Sequence, residues 1–466
     1  MKYEKKIFKC ILKVLTPIHI GCDEVYEPMG FVVDEKEHNL IVFDPLDFVA
    51  QMDTEDKKKY SEICSKGSID SILEMYKFLR GKKVSGRNIK LCSGFIKHYE
   101  KNLNIEIRNI KQELNSFKIE RTSFLSNDER PYIPGSSIKG SLRTAYLNDR
   151  QKIKKERKTN DSKELGQRLL NYRNFEEDPF RLVKISDFMP IGKVNTKIVY
   201  AVNKKKNPNK NLSKGLPQIL EIIDSGSIFQ GEIAIEQPQG NVIKEPINLQ
   251  KLLKSSLDFY SKERNRENRD LKNLRIEVIN TNWNQNVIPL RVGRHSGAES
   301  MTIEDHRNIK IMTGRDSKPK FQDSSTTLWL VSESKSELIN LQPFGWAELE
   351  ELTQEQLQDI KHKKEEYINR VEQANKFNRE KIIENPPEPK PPVVEAKTEI
   401  WEKAPLLWTP NNQTITASFQ DKKAIVKGKE LVPDSYKKTL FDKRKTVTAK
   451  VTVEHEGNSF KIIKVE

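Results

Sequence analysis

Tyr132–Ala145 reads YIPGSSIKGSLRTA. Pro134-Gly135 marks a turn, Ser136 or Ser137 suits a helix N-cap, and Ile138, Leu142 and Ala145 recur at helical spacing as a buried face. Lys139 and Arg143 stand four apart on another face, with Arg150 seven further on. A Gly/Ser turn entering a helix offers free backbone N–H groups and the positive end of the helix dipole. That pairing suits a phosphate, and Lys139 and Arg143 add charge to it. The stretch is not a Walker A loop. Gly135 and Gly140 have the required separation, but Ser141-Leu142 stands where Lys-Ser/Thr is needed. The plain alternative is an ordinary capped amphipathic helix.

On either side of this helix the pattern alternates between strand and helix periods. IFKCILKVLTPIHI (residues 7–20) reads as a strand with a proline near its end, followed by short strands at Phe31–Val33 and Leu40–Phe43. Ile69, Ile72, Leu73, Tyr76 and Leu79 keep a helical spacing, Phe117–Arg121 returns to a strand pattern, and residues 247–275 read as a charged helix. Between Val183 and Ile223 two β-like runs flank a loop carrying Lys204, Lys205, Lys206, Lys210 and Lys214 with no acid. The mixture predicts an α+β protein.

The last quarter differs in character. Residues 353–384 predict a charged helix with Leu357, Ile360, Tyr367, Ile368, Val371 and Ala374 as its apolar seam. NPPEPKPPVV is a stiff, extended spacer, and the short strands TITASF, KAIVKGK, TVTAKVTV and SFKIIKV follow it. The last two predict a hairpin turning at Gly457-Asn458.

Composition narrows the function classes. Lysine and arginine exceed aspartate and glutamate by 82 − 67 = +15 over 466 residues, and 35% of residues are hydrophobic against 32% charged. No run approaches the roughly 18 apolar residues of a spanning helix, and the N-terminal stretch lacks the apolar core of a signal peptide. Cys10, Cys22, Cys64 and Cys92 form no C-x-x-C pair, which speaks against a zinc ribbon or a disulfide scaffold. A reduced, cytoplasmic setting, no membrane and no cofactor are therefore expected. The basic excess points to a polyanion or to a solubilising surface.

A second stretch, RVGRHSGAES (Arg291–Ser300), follows the strand-like NVIPL. Gly293 and Gly297 let a backbone approach a ligand closely, while Arg291, Arg294 and His295 supply donors. A solvated turn is the competing reading.

PGSSIKGSLRTA resembles the signature helix of the RAMP superfamily, the repeat-associated proteins of CRISPR systems. LTPIHIG (Leu15–Gly21) is similar to that superfamily's first strand and loop. DPFRLVKISD (Asp178–Asp187), RVGRHSGAES and LQPFGWAEL (Leu341–Leu349) resemble most the capping subunits of type III-A CRISPR Csm effector complexes. The likeness covers roughly residues 5–352. It implies two fused ferredoxin-like, RRM-related RAMP domains, 1–190 with a helical insertion and 191–352 with a basic thumb-like loop. A charged helix and Pro-rich linker (353–393) and a small basic β-module (394–466) would follow. The resemblance further implies a non-catalytic subunit at the 3′ side of the crRNA, with a part in crRNA maturation and in assembly for antiviral defence. The implied partners are crRNA, the guide–target RNA duplex, neighbouring Csm backbone and small subunits, and host nucleases that trim crRNA. Ser136, Ser137, Lys139 and Arg143 are its implied RNA contacts on the helix. Arg291, Gly293, Arg294, His295 and Gly297 are those on the Gly-rich loop, and Lys204, Lys205 and Lys206 those on the thumb-like loop.

The rival is a RAMP endoribonuclease acting on crRNA precursor or target RNA. His19, flanked by Pro17, Ile18 and Ile20, and Asp23, just after Gly21, are its candidate residues. No metal-ligand cluster accompanies Asp23. The aromatic platform of a typical RRM is missing, so RNA contact is expected to fall on the backbone and to be salt-sensitive.

Overall fold

The structure, a computed structural model, describes residues 6–105, 113–114, 117–207, 209, 217–238, 240–312, 318–336, 339–362, 365–366, 369, 398–410, 412–456 and 459–466. It comprises two compact units, residues 1–370 and 371–466.

Lys6–Val14 is the central strand of the first unit's six-stranded sheet. Cys10, Leu12 and Val14 are buried in alternation with Ile11 and Lys13, the period of a strand with one face on a core. Its antiparallel neighbours are Ile228–Ile235 and Trp346–Glu351; Val183–Ile185 and Val287–Arg291 lie beyond them at the two edges. The helix Gly135–Lys154 precedes Val183–Ile185, and the helix Leu249–Asn273 follows Ile228–Ile235. Ile138, Leu142, Phe259 and Tyr260 of these helices share one core with Leu12, Val14, Phe229 and Leu290 of the strands. Apart from the Val287–Arg291 edge, this is the β-α-β-β-α-β order of a ferredoxin-like unit.

The second sheet has nine strands. Its main path runs Gly21–Val25, Ile119–Thr122, Gln218–Ile223, Thr196–Lys205, Arg87–Leu91, Asn39–Val42 and Phe31–Asp34, and Thr327–Ser332 pairs along the distal half of Thr196–Lys205. Helices Ile69–Leu79 and Phe95–Leu103 bring Tyr76, Phe95 and Tyr99 into one cluster with Phe117, Ile198 and Tyr200. Each of the ranges 1–190 and 191–352 contributes strands to both sheets, a departure from the consecutive division that the motif order suggests. The cause is long-range pairing, Lys6 opposite Ile235 and Val14 opposite Ala347, which local patterning does not encode.

In the charged segment after residue 353 the described residues 354–362, 365–366 and 369 are helical. Tyr367, Ile368, Val371, Ala374, the spacer NPPEPKPPVV and the turn Gly457-Asn458 lie outside the described residues.

The second unit is a closed five-stranded barrel. Its strands in chain order are Thr398–Thr409, Thr414–Phe419, Lys422–Lys427, Val447–Glu456 and Ser459–Val465, here barrel strands 1 to 5. They close in the order 1-2-3-5-4, with strands 3 and 5 parallel and every other pair antiparallel. The helical turns Asp434–Lys437 and Lys438–Asp442 connect strands 3 and 4. This order and connection are those of an OB fold. Trp401, Leu406, Ile415, Ala424, Val451 and Ile462 form its core. Strand 1 is the element the alternation did not single out, because a bulge between Trp401 and Ala404 breaks its period.

Candidate nucleic-acid interface

The helix Gly135–Lys154 begins where a side chain cannot fit. A Cβ on Gly135 would lie 2.4 Å from the Ile185 carbonyl oxygen and 2.6 Å from that of Ser186. The Gly135 N–H donates to Asp187 Oδ1 at 2.8 Å, so one of the helix's free donors is already taken by a carboxylate. Ser136 is exposed and Ser137 half-buried. Lys139 Nζ donates to the Val183 carbonyl at 2.8 Å, and burial first, then Lys184, lowers its pKa. Arg143 pairs with Asp178 Oδ2 at 3.1 Å and lies 4.7 Å over the Phe180 ring. Asp178, Val183 and Asp187 all belong to DPFRLVKISD. The two motifs are thus two sides of one contact, and opposite charges at Arg143 and Asp178 are the sequence signal that could have paired them. Arg150 is buried and pairs with Glu245.

The Gly-rich loop approaches its own chain rather than open space. Gly293, at φ +85°, would place a Cβ 2.5 Å from the His19 carbonyl oxygen, and the Arg294 N–H donates to that oxygen at 2.8 Å. Gly345, at φ +84°, would meet Val292 O and Ser296 Oγ at 2.6 Å. Its N–H donates to Pro17 O at 2.9 Å, and its carbonyl accepts from Val292 N–H at 2.9 Å. LTPIHIG, RVGRHSGAES and LQPFGWAEL therefore meet in one junction. Gly297, at φ +83°, has no atom nearer to its would-be Cβ than Glu299 Oε2 at 3.9 Å.

Several expected RNA contacts are engaged inside the protein. Arg291 is buried, 2.7 Å from Glu267 Oε2, with its guanidinium 4.6 Å over Trp346. Half-buried His295 lies against Trp329 and Phe344, and burial followed by Arg294 pushes its pKa down to about 3. Lys204 is buried, and Lys206 pairs with Asp270 at 2.9 Å and Glu299 at 3.2 Å. Burial alone would raise Glu299, but Arg266 and Lys206 hold it at about 2. Lys210 and Lys214 lie outside the described residues. The candidates that reach solvent are Ser136, Ser137, Lys139, Arg143, half-exposed Lys205 and Arg294, whose side chain is 45% exposed and paired with Glu120.

His19 is fully buried. Its Nδ1 lies 2.8 Å from the Glu221 carbonyl, and burial lowers its pKa despite that bond. The ring is shut off from solvent. Asp23 is exposed at φ 60°, and no group of three or more His, Cys, Asp or Glu suited to a metal occurs among the described residues.

A cleft of about 1470 Å³ opens between the two sheets, lined among others by Ile11, Arg87, Lys193, Asp224, Leu352 and Glu366. None of the motif residues lines it, and its five basic side chains are matched by five acidic ones. That balance suits no bare polyanion. No helix among the described residues is long and apolar enough to cross a membrane.

Among known proteins, the chain is 30% identical to the CRISPR system Cms protein Csm5 of Methanocaldococcus jannaschii over 38% of its length, which spans 41% of that relative. It is 26% identical to the Csm5 of Streptococcus thermophilus over 53% of its length and 69% of that protein. One chain of a cryo-EM structure of a Csm–crRNA–target RNA ternary complex from a type III-A CRISPR-Cas system aligns over 74% of this chain and 100% of its own. Its TM-score is 0.49 at 18% identity. The crystal structure of T. onnurineus Csm5 aligns over 72% and 99%, with a TM-score of 0.40 at 17% identity. The RAMP superfamily matches residues 11–461, well past the residue 352 at which the motif likeness stops. With nearly its whole length inside that match, the chain belongs to the RAMP superfamily.

Proposed function

We propose that this protein is an RNA-binding subunit of a type III CRISPR Csm effector complex, and within it the type III-A subunit that caps the crRNA-bound filament at the crRNA 3′ side. What carries the reading is the likeness to two Csm5 proteins within the RAMP superfamily. In this reading the two sheets of residues 1–370 are the two RAMP domains, intertwined rather than consecutive. The partners are crRNA, the guide–target duplex and neighbouring Csm subunits, with host nucleases trimming the exposed crRNA end.

The chemistry is electrostatic and geometric. The start of the helix Gly135–Lys154 accepts a backbone phosphate through the Ser136 N–H and the Ser136 and Ser137 hydroxyls, since the Gly135 and Ser137 N–H groups already donate to Asp187 and Pro134; Lys139 and Arg143 lie beside it, with Arg294 and Lys205 as further cations. Arg291, Lys204, Lys206 and His295 act from behind by holding the loops in place. The subunit is proposed to carry no cleavage step of its own. The burial of His19 supports this, since a general base must reach the 2′-hydroxyl it deprotonates.

Ser136→Glu with Ser137→Glu tests the phosphate site, because the two consequences have opposite signs. Acids at a helix N-terminus favour the helix by about 0.3–1 kcal/mol each, yet they repel a phosphate. The expected result is unchanged or raised thermal stability with at least tenfold weaker crRNA retention in the assembled complex. Retention equal to the parent's sinks the site. Labelled crRNA precursor incubated with the protein, with and without Mg²⁺, is expected to stay intact, and site-specific cleavage would overturn the non-catalytic reading.

A further inference from the structure

The barrel of residues 398–466 presents a second surface with a chemistry of its own. Leu407, Thr416, Ile425 and Lys461 stand opposite one another across barrel strands 1, 2, 3 and 5. Leu407 and Ile425 are 52% and 50% exposed, although Ile415, Ala417 and Ala424 on the same strands are buried in the barrel core. The neighbouring rows are Pro405, Ser418 and Lys423 on one side and Thr409, Thr414 and Lys427 on the other. Strands 2 and 3 thus show solvent a face of threonine, serine, isoleucine and lysine without a carboxylate. Asp421 lies at the tip of the turn joining them. Lys423 and Lys427 make no ion pair among the described residues, whereas Lys422, which alternates with them, is paired with Glu399 at 2.9 Å.

Exposed Leu407 and Ile425, with Lys423 and Lys427 in the flanking rows, match a ligand in which apolar surface alternates with anionic groups. A duplex hides the faces of its bases and offers phosphates, sugars and groove edges, so it would leave Leu407 and Ile425 without a base face to pack on. A single strand exposes both base faces and phosphates. We infer that the strand 2–3 face of the C-terminal barrel is a second RNA site, binding single-stranded RNA through Lys423 and Lys427 and the exposed Leu407 and Ile425. The inference stands apart from the phosphate site at Ser136 and Ser137 and does not rest on it.

The test uses the full chain and a fluorescein-labelled oligo(U) of about 20 nucleotides, long enough to fill a barrel site of roughly 4–16 nucleotides, with an RNA duplex of equal length for comparison. Binding is read by anisotropy over a salt series. Lys423→Ala with Lys427→Ala is expected to weaken oligo(U) binding about tenfold and to reduce the log–log salt slope by roughly 1.4, at about 0.7 per phosphate contact on a single strand. Duplex binding should change little. Ile425→Thr alone should weaken oligo(U) binding with the salt slope unchanged. All three substitutions are outward-facing, so the thermal transition should match the parent's. Lys450→Ala, on strand 4 across the barrel and paired with Glu402 at 3.0 Å, should leave oligo(U) binding as it was. If the double variant keeps both parental affinity and slope, the proposal is overturned and the face belongs to a protein partner. Repeating the double variant in the Ser136→Glu, Ser137→Glu background separates the two sites, because the barrel's loss should persist there.

Discussion

Arg291 exchanges solvent for three partners. Its Nε donates to the Phe344 carbonyl at 3.0 Å, its Nη1 lies 2.7 Å from Glu267, and its guanidinium sits over Trp346, whose indole N–H donates to the same carboxylate at 2.6 Å. Removing one member leaves the other charge buried and unpaired. Arg291→Ala is therefore expected to lower unfolding free energy by about 3–5 kcal/mol, measured by denaturant titration, with no change in the salt slope of RNA binding. A residue that merely touched phosphate would show the reverse. His295 and buried His98 make a second residue-scale case, since burial first, then Arg294 and Lys335 respectively, pushes each pKa down to about 3. The folded state keeps these rings neutral while the unfolded chain protonates them below about 6.5. Their contribution to stability is thus whole above about pH 6.5 and falls as pH drops towards 3, by about 1.4 kcal/mol per pH unit for each ring. His295→Asn, which tolerates the φ of 66° there, should flatten the slope of unfolding free energy between about pH 6.5 and 5 by roughly one proton's worth.

At the scale of elements, the glycines explain why motifs far apart in the chain occur together. Gly135 is required by the carbonyls of Ile185 and Ser186, and Gly293 by that of His19. Gly293→Ala adds left-handed strain to a backbone collision, and should cost roughly 2 kcal/mol or more, seen as a lower thermal midpoint. Gly140 sits inside a helix with no atom within 4 Å of its would-be Cβ. Gly140→Ala should therefore stabilise by about 1 kcal/mol and raise that midpoint, the opposite sign for the same exchange. The helix itself was legible from Ile138, Leu142 and Ala145. Of its docking on DPFRLVKISD only the opposite charges of Arg143 and Asp178 left a sign in the sequence; the Val183 carbonyl and the Asp187 carboxylate reach it only through the fold.

Across the whole molecule, the two units keep separate cores. The main clusters of the first draw on no residue beyond Leu349, and that of the second runs from Trp401 to Val465. A chain ending at Arg370 should accordingly keep the thermal transition of the first unit in full, measured by circular dichroism, while losing the oligo(U) binding assigned to the barrel.

Local and periodic features were settled by the order of amino acids alone. These are the amphipathic helix after Pro134-Gly135, the alternating strands at residues 7–14 and 414–427, the basic excess, and the motif order that resembles the RAMP superfamily. Which cations face water was left to tertiary structure. Lys139 and Arg143 keep part of their surface in water, whereas Arg291, equally basic in the sequence, is drawn inside by Glu267. The physical reason is that a charge's environment depends on carboxylates brought from distant strands and helices. Pairings such as Lys6 with Ile235 and Val14 with Ala347 set those approaches, and they leave no mark on local spacing.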